Sequence, residues 1–166
     1  MRWQHDGGFV ADDEAARVDV EVVHGFINTS YWASGLPREV MVKAIAGSLN
    51  MGVYDAAGAQ VAYARAVTDR ATFAWIADVF VLESHRGHGL GRFVVSTLLD
   101  HPELQGLRRM MLATADAHGL YRSYGFNDLP DPSRLLVIQR DIATLYAPNS
   151  ATPAATATSA VPGSRS

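Results

Sequence analysis

Cysteine is absent from all 166 residues. That excludes disulfides, thiolate metal sites and a cysteine acyl-enzyme, and it agrees with a reducing compartment. Long apolar runs are missing too: none approaches the roughly 18 residues of a membrane span. No charged-then-apolar leader opens the chain. Nor is one sign of charge in excess, since 14 lysines and arginines stand against 17 aspartates and glutamates, for a net charge of −3. A broad electrostatic attraction to nucleic acid or to an anionic membrane is therefore not expected. Internal repeats are absent. These absences together predict a soluble, cytoplasmic chain whose partners are neither nucleic acid nor membrane.

What is present suits one globular domain over residues 1–146, with 48% of the chain hydrophobic and length enough to bury a core. From Ala147 onward the chain reads APNSATPAATATSAVPGSRS, which has no apolar periodicity and is expected to be a disordered tail. Residues 1–17 are polar, with a short strand expected around Phe9-Val10-Ala11. Val18, Val22, Val23, Phe26 and Ile27 fall on one face of a helix running to about Ser30. Tyr31-Trp32-Ala33-Ser34-Gly35-Leu36 is a loop, and Pro37 suits the first position of a second helix reaching about Ala46. Strands follow at Met51 to Tyr54 and Gln60 to Thr68, joined by the turn Asp55-Ala56-Ala57-Gly58. A last strand is expected from about Leu135 to Arg140.

The most informative stretch is FAWIADVFVLESHRGHGLGRFVVSTLL, Phe73 to Leu99. Its apolar run, Phe73 to Leu82, fits a strand covered on both faces. Arg86-Gly87-His88-Gly89-Leu90-Gly91 then leads into an amphipathic helix with Leu90, Phe93, Val94 and Leu98 at helical spacing. Alternate glycines let the backbone turn sharply and leave its amides unshielded. The first turn of a helix has N–H groups with no internal partner, and its dipole favours anions. The junction is therefore a candidate phosphate site, with Arg86 and Arg92 adding positive charge. A Walker A loop is not matched, because Gly91 is followed by Arg92-Phe93 rather than Lys-Ser/Thr. The dinucleotide fingerprint fails as well, with Arg92 where its last glycine belongs.

Arg86-x-x-Gly89-x-Gly91 resembles the Arg/Gln-x-x-Gly-x-Gly/Ala signature of the GNAT N-acetyltransferase superfamily. Downstream, Ala117-x-x-Leu120-Tyr121-x-x-x-Gly125-Phe126 resembles that family's Ala-x-x-Leu-Tyr-x-x-x-Gly-Phe element, in the expected order and at the expected distance. The second element reads as a strand, Arg109 to Thr114, and a short helix, Asp116 to Tyr124. The resemblance covers roughly residues 18–141. It implies an α/β (α+β) fold: a mixed, mostly antiparallel twisted sheet of about six or seven strands flanked by about four helices. It implies acetyl-CoA as cosubstrate and a primary amine acceptor, here expected to be a small molecule, with direct transfer in a ternary complex and no metal. A homodimer is left open. Its rivals are a non-catalytic acyl-CoA-binding module, a scaffold that binds no coenzyme A, and an enzyme acting on a protein or peptide amine.

Such a transfer needs a neutral amine, stabilisation of an oxyanion and a proton for the departing thiolate. An alkylamine has a pKa near ~10.4 and a thiol near ~8.5, so a base is required and a phenol near ~10 can serve as acid. By resemblance Tyr121 is the general acid, with core packing as its alternative; Tyr124 reads as core or pocket wall. Asp78, the only charge between Phe73 and Leu82 and on the strand face expected to carry Ile76 and Phe80, is the candidate base. Its alternative is a buried carboxylate held by a hydroxyl, histidine or arginine. The resemblance assigns Arg86, Gly87, His88, Gly89, Leu90, Gly91 and Arg92 to the diphosphate. It gives the backbone of Val79, Phe80 and Val81 to the pantetheine arm, on a strand that splays from its neighbour, with an oxyanion-binding N–H near Phe80. Thr114 stands where the family often has asparagine, and His88 where a cation is common. Tyr31, Trp32 and Trp75 are candidate walls of the acceptor pocket. His85, His88 and His118 have no metal-ligand spacing, and Asp116 suits a helix N-cap.

Overall fold

The computed structural model describes residues 1–146; the expected tail from Ala147 lies outside the described residues. Six strands form one sheet in sequence order: β1 (Arg2–Gln4), β2 (Val10–Asp12), β3 (Leu49–Tyr54), β4 (Gln60–Thr68), β5 (Phe73–Val81) and β6 (Arg109–Met111). All neighbours are antiparallel except β5 and β6. The helices are α1 (Val20–Ile27), α2 (Arg38–Ala46), α3 (Leu90–Leu99), α4 (His118–Arg122) and α5 (Ile142–Leu145). The mixed, mostly antiparallel sheet with flanking helices is the fold class that the sequence implied.

Local chemistry explains most boundaries. Asp19 caps α1 by accepting from the N–H groups of Glu21 and Val22 at 3.0 and 3.1 Å. Pro37 is the N-cap of α2 rather than its first residue, with ψ of 145°. In the β4–β5 turn the Asp69 carboxylate accepts from Ala71, Thr72 and Phe73 N–H and from the Thr72 hydroxyl, and these bonds hold its pKa well below the usual range.

Two cores sandwich the sheet. On one face α3 packs Leu90, Val94 and Leu98 over Ala62, Ala64 and Ala66 of β4 and Ala74 and Ile76 of β5. The small alanines let the helix approach closely, which is why this strand reads as alternating small residues. On the other face α1 and α2 bring Val23, Ile27, Met41 and Ile45 onto Tyr63 and Phe80, and Phe26 stacks on Phe80 at 4.1 Å.

Several expectations are corrected. β1 escaped the sequence reading, because three residues with two polar members show no usable alternation. The strand expected over Arg109 to Thr114 pairs only through Met111. No strand forms over Leu135 to Arg140. β5 is not covered on both faces throughout, since Trp75 is 36% exposed.

Candidate active site

The glycine loop is built on β5. Leu82 is pinned by its N–H to the Val61 carbonyl at 2.9 Å, and a single 3-10 turn over Glu83–His85 follows. Gly87 and Gly89 have φ of 84° and 77°, conformations that favour glycine. Gly89 is the N-cap of α3 and has no side chain to cap it. The first intrahelical bond runs from Phe93 N–H to Gly89 O at 3.0 Å. The amides of Leu90, Gly91 and Arg92 thus have no acceptor within the helix, at the positive end of its dipole. No heavy atom occupies the space a Cβ would take at Gly87. First-turn amides with no helical acceptor, clear space over Gly87 and two exposed arginines fit a diphosphate. His88 donates from Nδ1 to the carbonyls of His85 and Arg86 at 3.2 and 3.1 Å. A neutral His88 therefore offers the loop a lone pair rather than a donor.

The second feature is a break in the sheet. β5 and β6 pair only through Phe73↔Arg109, Ala74↔Met110 and Trp75↔Met111. Beyond that point β5 continues to Val81 with no strand on this edge among the described residues. On its other edge the register slips: Tyr63 faces Phe80 but Arg65 faces Ala77, so β5 carries one extra residue. Asp78 lies in that bulge with φ of 53°. The extra residue puts Ile76 and Phe80 on opposite faces, the first under α3 and the second under α1 and α2. The expectation that both share a face with Asp78 is therefore overturned by the bulge.

Asp78 is held by an arginine. Arg65 Nε donates to Asp78 Oδ2 at 2.5 Å, and Arg65 Nη1 donates to Ser48 Oγ at 3.0 Å. The carboxylate is 9% exposed. Sequence reasoning passed over Arg65, although it is the one cation in the apolar strand β4 and needs a partner there.

Tyr121 projects from α4 and is 8% exposed. Gly125, with φ of 89°, ends that helix and turns Phe126 N–H back to the Tyr121 carbonyl at 3.2 Å. The Tyr121 hydroxyl has no hydrogen-bond partner among the described residues, and it is not a sealed, unsatisfied atom either. Burial, with a smaller contribution from Asp116, raises its pKa above the usual phenol value. It lines a cavity of about 350 Å³ shared with Met111, Leu112, Thr114, His118 and Phe126.

A matching family model covers residues 28–126 and is that of the acetyltransferase (GNAT) family. The chain belongs to this family. A GNAT crystal structure from Xanthomonas campestris pv. campestris, of a protein inferred to be an acetyltransferase, superposes with a TM-score of 0.78 at 39% identity, over 84% of this chain and 97% of that one. A Gibberella zeae protein named as an inferred acetyltransferase is 28% identical over 145 residues, 74% of this chain and 81% of its own. A Clostridium acetobutylicum structure, of another inferred acetyltransferase with acetyl-CoA, shares the fold with a TM-score of 0.57 at 12% identity, over 79% of this chain and 94% of that one.

Within this GNAT domain the remaining candidates fall into place unevenly. Thr114 Oγ1 accepts from Ala117 N–H at 3.0 Å and so closes the turn before α4, whose N-cap residue is Ala117 and not Asp116 and which has no side-chain cap. Tyr124 donates its hydroxyl to the Arg92 carbonyl at 3.0 Å and ties α4 to the first turn of α3. Tyr31 and Trp32 are exposed and meet edge to face at 4.9 Å. Trp75 pairs across the strands with exposed Val67 on the α1/α2 side of the sheet. Among the described residues no ring contact joins it to Tyr31 or Trp32. None of the glycine-loop residues lines the cavity beside Tyr121.

One neighbour of the loop was missed altogether. The β1–β2 turn brings in His5, whose Nδ1 accepts from Gly7 N–H at 3.1 Å. Its neutral ring therefore carries the proton on Nε2, which lies 3.7 Å from where a Gly89 Cβ would stand. No motif marks His5; only the fold of the hairpin places it there.

Proposed function

We propose that this chain moves an acetyl group from acetyl-CoA to the primary amine of a small molecule, by direct transfer in a ternary complex. The observation that carries the reading is a pair of open features at one end of the sheet. Amides in the first turn of α3 have no acceptor within the helix, and an unpartnered tyrosine hydroxyl lines a cavity bordered by β6 and α4. When bound, acetyl-CoA would supply an activated thioester. The N–H groups from Gly87 to Arg92 hold its diphosphate, with Arg86 and Arg92 adding charge. The edge of β5 at Val79, Phe80 and Val81, which no strand covers among the described residues and where Val81 O accepts from Arg86 Nε at 3.4 Å, would pair with the amide-bearing arm, and an N–H near Phe80 would meet negative charge on the carbonyl oxygen. Tyr121 Oη holds the proton that a departing thiolate needs; its raised pKa keeps it protonated at neutral pH. Asp78 has one oxygen engaged by Arg65, and its other oxygen accepts from the incoming amine. Thr114 lines the cavity with Tyr121, and its hydroxyl proton is available to donate to the arm. Tyr31, Trp32 and Trp75 supply flat apolar surface around the acceptor.

Thermal-shift titration with coenzyme A, followed by thiol release over a panel of small and peptide amines, tests this. A higher Tm and turnover with small amines are expected. Binding without thiol release would convert the reading to an acyl-CoA-binding module, and turnover confined to peptides would move the acceptor. An unchanged Tm at millimolar coenzyme A would end it.

A further inference from the structure

Arg65 is committed to Asp78 and Ser48 through only two of its five N–H groups. Its Nη2 meets no acceptor among the described residues, yet it is not a sealed atom. A guanidinium that merely neutralises a carboxylate commonly meets it with two parallel N–H groups. Here the contact is single, through Nε. Asp78 Oδ1 likewise meets no donor among the described residues and is not sealed. An open donor and an open acceptor therefore stand side by side, on part-buried groups that already touch.

The pair is held firmly, and its surroundings are open. Ser48 Oγ donates to the Ala44 carbonyl at 2.6 Å, and Asn50 Nδ2 donates to the carbonyls of Ile45 and Ser48 at 3.0 Å. Asn50 Oδ1 in turn accepts from the buried Tyr63 hydroxyl at 2.5 Å. The end of α2 and the start of β3 thus fix where the guanidinium points. Tyr63, Arg65 and Val67 alternate onto the α1/α2 face of the sheet. Beyond Arg65 on that face, Val67 pairs across the strands with Trp75, and the two are 43 and 36% exposed. Charge of both signs beside open apolar surface is the complement of a small zwitterion with an apolar body.

We propose that the acceptor is an α-amino acid with an apolar side chain, and that Arg65 is the residue that selects it. This rests on the acetyl transfer proposed above and narrows its acceptor. The amine meets Asp78 Oδ1, the carboxylate meets Arg65 Nη2, and the side chain lies on Val67 and Trp75. Because the two open atoms belong to groups in contact, amine and carboxylate must sit close together, and in an α-amino acid they share one carbon. A carboxylate at the far end of a longer chain would overshoot. A plain amine would leave Nη2 without a partner, and an amino-acid amide or a peptide would offer it only a neutral oxygen.

Thiol release by the full chain with acetyl-CoA, read over the α-amino acids, their amides and the matching decarboxylated amines, tests this. For apolar side chains the acid should exceed its amide and its amine in kcat/KM by about 10- to 100-fold. Arg65→Lys keeps a cation beside Asp78 but loses the planar fork. It should collapse that ratio toward one, through KM rather than kcat, and the calorimetric affinity of the coenzyme A complex for the acid should fall by the same factor. If Arg65→Lys unfolds, the ratio in the native protein decides. A native ratio near one, a preference for the plain amine, turnover confined to polar acids or to peptides, or a ratio that survives Arg65→Lys or is lost through kcat alone would each overturn the proposal and leave acetyl transfer standing. Thiol release with none of these acceptors would overturn both.

Discussion

The two edges of the sheet are built on opposite principles. At the β1 edge, buried Asp12 accepts from Arg2 Nε at 2.7 Å, Arg17 Nη1 at 2.5 Å and Glu14 N–H at 3.0 Å. The Arg17 guanidinium lies 4.1 Å over the Tyr54 ring, and the Tyr54 hydroxyl donates to the Arg17 carbonyl at 2.9 Å. Nearby, His101 Nε2 bonds Asp13 at 2.9 Å. At the β6 edge a three-residue strand borders a cavity, and the neighbouring ion pair, Arg122 with Asp128, is exposed. One edge is tied to its neighbours by ion pairs on a buried carboxylate. The other is left open, and the catalytic tyrosine proposed above stands beside it. Binding surfaces are drawn from the less constrained parts of a fold, and here the division runs strand by strand.

That contrast can be tested by damaging each edge in turn. The largest effect is expected at the open edge. Tyr121→Phe should lower kcat by about 10²- to 10⁴-fold in a thiol-release assay, with Tm nearly unchanged because its hydroxyl has no protein partner. Asp12→Ala should do the reverse. Removing the buried carboxylate that Arg17, Arg2 and the Glu14 N–H share should cost about 1.5–3 kcal/mol in urea unfolding, while kcat per folded molecule stays level. A kcat that fell with Asp12→Ala would show the two edges to be coupled.

Between them stands Gly89→Ala, at φ of 77°. Strain of about 1–2 kcal/mol is expected in the unfolding free energy, together with a higher KM for acetyl-CoA and little change in kcat. The smallest effect is in pH. Burial alone would raise the Asp12 pKa, but hydrogen bonds from Glu14 N–H, Arg17 and Arg2 outweigh it and lower it. Its contribution is therefore complete above the ordinary carboxylate value near 3.8 and is lost as pH falls through the lower, folded value. Asp12→Asn should flatten the unfolding free energy against pH in that acid window and leave it unaltered near neutrality. At the alkaline end, burial pushes Tyr54 up to about 12, so its contribution is complete below the ordinary value near 10 and fades as pH rises toward 12.

Much of this was local enough to be legible in one dimension. Gln60 to Thr68 is a strand to the residue, because its alternation is unbroken and Asp55 and Asp69 build the turns on either side from their own side chains. The glycine loop needs only its own φ angles and the helix that follows. The Leu120-Tyr121 and Gly125-Phe126 pairs mark α4 for the same reason. The candidate site was legible where a feature sits within one loop or one helix, and opaque wherever two distant segments meet.

Sequence alone therefore determined the class of fold, the first-turn amides of α3 that lack a helical acceptor, and the placing of Tyr121 on a short helix, since each rests on short-range spacing. Tertiary structure alone decided that Asp78 lies in a bulge and is claimed by Arg65, that His5 reaches the loop, and that β6 stops pairing after Met111. The physical reason is that register, bulges and ion pairs between strands are settled by which side chains the opposing backbone brings within reach. A one-residue slip there exchanges the faces of everything beyond it.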